Sequence, residues 1–428
     1  MKLLKNILLS LFLGNSYFLS APVSAQAIDR ANLKIIERLL GSRVDRSDPQ
    51  IQSALEQMRQ NPGNKAAVLR QITHNYDHFY KIMVKNFASR MSVRSEEVSI
   101  PLNDFSATVI GVVRDDIDAR QLLTGNYIYI ADTRRIPQST PNITIRSNMF
   151  NDIIRSNNHY QDIDNNLYRI NLSSILQQQV QQVLSNNDLN NPVLVNNPDP
   201  AGLLTSNTWG REHLIAGTNR RAVEYALRSF LCTPIENAAD TQASDSHIGR
   251  DIDRFPGGDH TRFLTTCKGC HTVMDGFRGA FARWNFNNVA NGFLVYGGLH
   301  PGRFGMNANG IANKMNQNAN EFPGGYQTVN DSWVNYATRG KNANKFAWGS
   351  DNPQIGQGAG SFGQLLSSSQ RFAQCMARRS IVEICQRSQN VFINLDHPAV
   401  SKLAQTFIQS NYNLRELFIA TSLAEVCK

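Results

Sequence analysis

The chain has 428 residues, a length for two or three domains. Hydrophobic residues make up 41% of it, enough to sustain a substantial core and to exclude disorder throughout. The formal net charge of +9 is a mild basic excess that favours acidic partners; it forms no run dense enough for nucleic acid, and Arg134-Arg135 and Arg378-Arg379 read as solvated pairs.

Met1-Lys2-Leu3-Leu4-Lys5 is a short basic start, followed by the apolar run Ile7 to Leu13 and by Val23-Ser24-Ala25. This is the pattern of a secretory signal peptide cut after Ala25. Gly14-Asn15-Ser16 interrupts the run, which falls short of a bilayer span. Residues 1–25 are therefore expected to be removed, leaving +7 of the +9 once Lys2 and Lys5 are gone. The mature chain is expected to be periplasmic or secreted, from a bacterium, with no integral membrane segment.

Residues 26–119 read as a helical N-terminal region. Leu33, Ile35, Ile36, Leu39 and Leu40 recur at helical spacing, Ser47-Asp48-Pro49 makes a turn, and Ile51, Leu55 and Met58 resume the pattern. After the break at Asn61-Pro62-Gly63 a long helix is predicted from about Lys65 to Met91. Periodicity leaves Thr108 to Val113 open between a strand and a buried helix turn. Residues 120–235 form a helical and irregular middle region. It has loops around a helix predicted near Leu172 to Leu184, and a helix from Ala222 to Leu231 ends at Cys232-Thr233-Pro234. Residues 236–428 begin with an irregular linker to 258, pass through a stretch rich in Gly and Asn from Asn288 to Gly363, and return to helices at about 364–375, 376–388, 398–410 and 412–425. The class is mainly α with long loops.

Cys267-Lys268-Gly269-Cys270-His271 stands at the start of a predicted helix. Cys-x-x-Cys-His is the attachment motif of c-type haem. Two thiols add across the vinyl groups of one porphyrin edge, and the adjacent histidine then falls beneath the iron and ligates it. Random placement of six Cys and nine His in this length gives roughly 0.002 such patterns. A zinc site would want a second Cys or His pair at similar spacing, and a thioredoxin-like dithiol would sit in a βαβ unit; neither is evident. Cys267 and Cys270 are thus expected to hold one covalent haem c, with His271 as an axial ligand. For the opposite face Met315 is favoured, ahead of Met306 and His300, with an open sixth site as the alternative. Met274, on the same helix as His271, cannot reach that face. Cys232, Cys375, Cys385 and Cys427 suggest two disulfides with three possible connectivities. Cys375 and Cys385 would lie about 15 Å apart on one straight helix, so each is expected to reach a different partner. His74 and His78 have the i, i+4 spacing of a metal pair without an obvious third ligand. His260 lies close enough before the motif to approach a haem propionate, although a surface loop is its default place.

From about residue 120 onward the chain resembles the planctomycete-type cytochrome c family, mostly domains of unknown function. The resemblance rests on the order of short landmarks: Leu122 to Tyr127, Gly202 to Thr205, Ser229 to Pro234, Cys270-His271-Thr272-Val273-Met274-Asp275-Gly276-Phe277, Phe372 to Cys375 and Leu414 to Leu417. Gly276 departs from the family, which usually has proline there. A proline-rich run that usually follows the Pro234 position is also missing. The resemblance implies a periplasmic haem protein and gives no substrate. The expected fold is a helical N-terminal region followed by a cytochrome c-like helical haem domain. The expected role is electron transfer with a redox partner protein, a carrier rather than a catalyst. Two alternatives are a haem enzyme or small-ligand sensor with an open sixth site, and a partner-binding exported protein with a structural haem.

Overall fold

Polar caps set where the helices start. Asp48 accepts hydrogen bonds from the backbone N–H groups of Gln50 and Ile51, and Pro49 occupies the first turn, so Pro49–Gln60 begins just after the turn at Ser47-Asp48-Pro49. Asn103 and Ser106 form a reciprocal capping box that opens Asp104–Arg114. Thr108 to Val113 therefore belong to a helix. It is buried on every side, which is why its apolar residues show no one-sided period. This computed structural model describes residues 25–137, 140, 148–288, 292–385 and 393–427. Of the expected signal peptide, residues 1–25, all but Ala25 lie outside the described residues.

Two predicted helices are corrected. The segment from Lys65 to Met91 is three pieces, Lys65–Asn75, a π-helical turn Phe79–Val84, and Lys85–Ser92. The break at Tyr76 sets the Asp77 carboxylate to accept from the N–H groups of Leu172 and Ser173 at 2.8 and 2.9 Å, an arrangement a continuous helix would not allow. His74 and His78 fall on either side of this break and share no single helix. Near Leu172 only Leu172–Ile175 is helical. Leu176–Val180 pairs antiparallel with Tyr127–Ala131, and Gln182–Leu184 with Leu194–Asn196. Pairing with a partner strand outweighs the helix propensity of the glutamines here.

The class is mainly α, and the described strands form four separate two-stranded antiparallel pairs. The largest apolar cluster draws on all three expected regions, from Leu33 and Phe87 through Phe105 and Trp209 to Phe277 and Phe418. Phe418, on the helix Leu414–Leu423, meets Phe79 and Phe87 edge-on at 5.9 and 5.0 Å. Beside it the buried Arg415 donates to the Val113 and Arg114 carbonyls and pairs with Asp116 at 2.8 Å. The N-terminal helices thus share a core with the C-terminal ones. A smaller cluster holds Phe150, Phe293, Met306, Ile311 and Met315.

The C-terminal helices run Gly358–Ser368 and Gln370–Ile384, divided at the Ser369 cap rather than near Cys375. Cys375 and Cys385 are therefore ten residues apart along one helix and its cap. They pair separately, as Cys232–Cys375 and Cys385–Cys427. Among the described residues no helix is long and apolar enough to cross a membrane.

Candidate functional site

Asp259 accepts from Thr261 N–H and starts a helical turn, His260–Arg262. A π-helical turn, Phe263–Cys267, follows and leads directly into Lys268–Arg278. The five-residue motif straddles that junction. At about 100° per residue, Cys267, Cys270, His271 and Met274 fall on one side of the helix, with Gly269, Thr272, Val273 and Gly276 on the other; Asp275 and Arg278, which project on the motif side nearer the helix's C-terminal end, are buried in the charge cluster described below. Burial follows this division: the second set is buried, and all four of the first are only half-buried. The helix is thus anchored through one face and keeps the two thiols, the imidazole and a thioether together on its accessible face.

Glycines allow that anchoring. A side chain at Gly276 would come within 2.6 Å of the Val334 carbonyl, and at Gly269 within 3.2 Å of Ala239 and Asp240. Gly269 accepts a hydrogen bond at its carbonyl from Asp240 N–H at 3.1 Å. Glycine at position 276 therefore has a local reason, the close approach of the 332–336 strand and loop.

Cys267 and Cys270 are free thiols, while Cys232, Cys375, Cys385 and Cys427 are all in disulfides. Burial, and then the negative charge of Glu236, push the Cys270 thiol above its usual range, so it stays protonated. The Nδ1 atom of His271 is buried without a hydrogen-bond partner. Asp275 Oδ1 lies 3.7 Å from it, beyond hydrogen-bond length.

Asp275 belongs to a closed charge cluster. Its carboxylate is fully buried and pairs in bidentate fashion with Arg220, whose Nη2 lies 2.7 Å from Oδ2; Gly249 N–H donates to the same oxygen at 2.9 Å. Arg220 also pairs with Asp251, which meets the buried Arg278 at 3.3 Å. Two cations and two carboxylates thus balance. Burial alone would raise the Asp275 pKa, but Arg220, followed by Arg278, holds it far below the usual carboxylate range. Arg220, Asp251 and Arg278 carried no sequence signal. They lie 55 and 24 residues before Asp275 and one helical turn after it, and only the fold joins them.

The residues expected on the far face of the iron are engaged in packing or hydrogen bonds of their own. Met315, on the short turn Asn313–Asn316, is fully buried in the smaller apolar cluster with Met306, and no residue of Lys268–Arg278 takes part in that cluster. His300 is buried, with Nε2 at 2.8 Å from the Leu184 carbonyl and Nδ1 at 3.2 Å from Asn187 Oδ1. Met315 and Met306 are thus packed among apolar side chains, and both ring nitrogens of His300 lie within hydrogen-bond distance of protein oxygens. His260 is exposed and contacts the Arg254 carbonyl at 2.8 Å.

The donor set fits a covalently held haem. Two unpaired thiols separated by less than a helical turn share an accessible face with an imidazole whose Nδ1 turns inward, leaving Nε2 for a metal. Among the described residues no group of three or more His, Cys, Asp or Glu converges as a protein-only metal site. Comparison with family models, curated proteins and solved structures finds no match for this chain.

Proposed function

We propose that this chain is an exported c-type cytochrome. It holds one haem through Cys267 and Cys270, with His271 as an axial ligand, in a cytochrome c-like helical region spanning 236–428. The observation that carries the proposal is the selective sparing of two cysteines. Four of the six are tied into disulfides, and the two that stay free stand on the half-buried face of an otherwise buried helix, next to His271. The haem would supply an iron that cycles between ferrous and ferric. The protein's own contribution would be a negative charge behind the imidazole: the Asp275 carboxylate stands 3.7 Å from Nδ1 and is itself held by Arg220 and Gly249. A carboxylate in that position raises the basicity of a ligating histidine, and would orient it once the Nδ1–H closes the remaining gap.

A second reading is favoured by one observation. Met315, Met306 and His300 are all engaged in packing or hydrogen bonds of their own. This supports an open sixth position, suited to a small-ligand sensor or haem enzyme, over a closed electron carrier. The visible spectrum of the reduced protein with and without carbon monoxide separates the two. Rapid spectral change supports the open site, and an unchanged spectrum supports a closed six-coordinate carrier. If exported protein prepared with an active haem-attachment system carries no covalent haem, the proposal fails in both forms.

A further inference from the structure

A depression of about 490 Å³ is walled by segments that pack against the buried side of the motif helix. Asp240 on its wall lies against Gly269, and Val334 and Tyr336 lie against Gly276. Part of the wall is apolar. Val334 and Ile355 stand directly opposite each other where Ser332–Val334 pairs with Ile355–Gln357, so their side chains share one face. Both line the depression, and Ile355 is 72% exposed, a large apolar side chain held in water rather than in a core. Tyr336 adds an aromatic surface. Its hydroxyl shares hydrogen bonds with Ser246 Oγ at 2.7 Å and His247 Nδ1 at 2.6 Å, which fix the ring.

The depression also carries one charge of each sign, Asp240 and Arg339. Gly340 brings them close: a Cβ on it would stand 3.1 Å from Asp240 Oδ2, and Arg339 is the preceding residue. Among the described residues, however, neither forms an ion pair, with the other or with any third group. Asp240 Oδ1 accepts from Gln242 N–H at 3.0 Å, and Oδ2 accepts nothing. The Arg339 side chain is exposed and donates to nothing. Asp240 is only 6% exposed, so its carboxylate is largely withdrawn from water with one neutral donor in return. A cation brought to Oδ2 would replace that lost hydration.

We propose that this depression binds a free α-amino acid with an apolar side chain. Its ammonium meets Asp240, its carboxylate meets Arg339, and its side chain lies against Val334, Tyr336 and Ile355. An α-amino acid carries both charges on one carbon, which the neighbouring places of Asp240 and Arg339 require. The planar guanidinium fork suits a carboxylate, and a cavity of this order accommodates a small molecule. The site does not rest on the haem proposal, because none of its lining residues belongs to the motif helix.

The test is calorimetric titration of the exported full chain with L-leucine and, separately, L-phenylalanine. Saturable binding of at least one is expected. The amide of that amino acid, which lacks the carboxylate, and its deaminated acid, 4-methylpentanoate or 3-phenylpropanoate, should each bind about tenfold more weakly, since each forfeits one charged contact. Arg339→Gln should weaken binding of the amino acid about tenfold while leaving that of the amide unchanged. Asp240→Asn should weaken binding of the amino acid while leaving that of the deaminated acid unchanged. Circular dichroism confirms that each variant is folded, and Arg339→Gln, at an exposed and unpaired side chain, decides alone if Asp240→Asn does not fold. Heat no larger than that of dilution with both amino acids overturns the proposal. So does equal binding of the amino acid, its amide and its deaminated acid, which would mark an apolar groove blind to charge. Binding of the amino acid that Arg339→Gln leaves unchanged overturns it as well.

Discussion

Replacing Asp275 by Asn is the most informative single perturbation of the charge cluster beneath the motif. The side chain keeps its size but loses the charge that Arg220 grips at both oxygens. Arg220 would keep Asp251, and Arg278, only 1% exposed, would share that one carboxylate. Two buried guanidiniums would then face a single buried anion. Breaking a buried ion pair by removing one partner costs about 3–5 kcal/mol, because the remaining charge stays desolvated and unpaired. The expected loss in urea unfolding at pH 7 is of that order, and Arg220→Met combined with Asp275→Asn should cost clearly less than the two single changes added together. If haem is held as proposed, the same substitution removes the charged neighbour of His271 Nδ1, and the reduction potential should rise because His271 becomes a weaker donor. A destabilisation under about 1 kcal/mol, or strict additivity of the double variant, would refute this account of the cluster.

Further outcomes follow from other parts of the fold. His159 is buried, accepts from Ala131 N–H at Nε2, and has its pKa lowered to about 4 by burial. The unfolded chain takes up this proton first, so the neutral ring's contribution is full above about pH 6.5 and declines as the pH falls towards 4, by up to about 3 kcal/mol; His159→Gln should flatten that part of the stability profile. Cys232–Cys375 spans 143 residues, and replacing both by Ser should lower stability by about 2–5 kcal/mol without abolishing haem attachment, as read by denaturant unfolding and by haem-stained gels. Gly276→Ala should cost about 1–3 kcal/mol through the approach of the Val334 carbonyl. Gly276→Pro, the residue usual in the family the sequence resembles, should cost more because it also falls inside Lys268–Arg278; a melting temperature equal to that of the parent would contradict the packing described.

Local signals were legible in the sequence where local physics decides. The turn at Ser47-Asp48-Pro49, the break at Asn61-Pro62-Gly63 and the helix ending at Cys232 lie where capping and proline chemistry place them. The assignment of Cys375 and Cys385 to different partners followed from helix rise alone and agrees with the two disulfides. What escaped the sequence depends on distant segments. Leu176 to Val180 is a strand because Tyr127 to Ala131 lies beside it. The break at Tyr76 goes with Asp77 reaching residues 172 and 173. The packing of the N-terminal helices on the C-terminal ones was not legible either, since Phe79 and Phe87 meet Phe418 from more than 300 residues away in sequence. At the site, the five motif residues were visible as a local pattern, whereas Arg220 and Asp251 join Asp275 only through folding. Met315 was favoured for its flexible Gly- and Asn-rich surroundings, but those loops fold over an apolar cluster of their own. Arg378-Arg379 looked solvated but is half-buried on Gln370–Ile384, because sequence alone does not show which face of a helix a neighbouring segment covers.

The central claim is that Cys267 and Cys270 hold a haem. Intact-mass spectrometry of the exported, denatured protein, read alongside its visible absorbance, tests it most directly. The account predicts a mass increase of one haem that survives denaturation and that disappears in the Cys267→Ala, Cys270→Ala double variant, while Cys232–Cys375 and Cys385–Cys427 still form. A protein exported through a working haem-attachment system that shows no added mass and a third disulfide between Cys267 and Cys270 would contradict it.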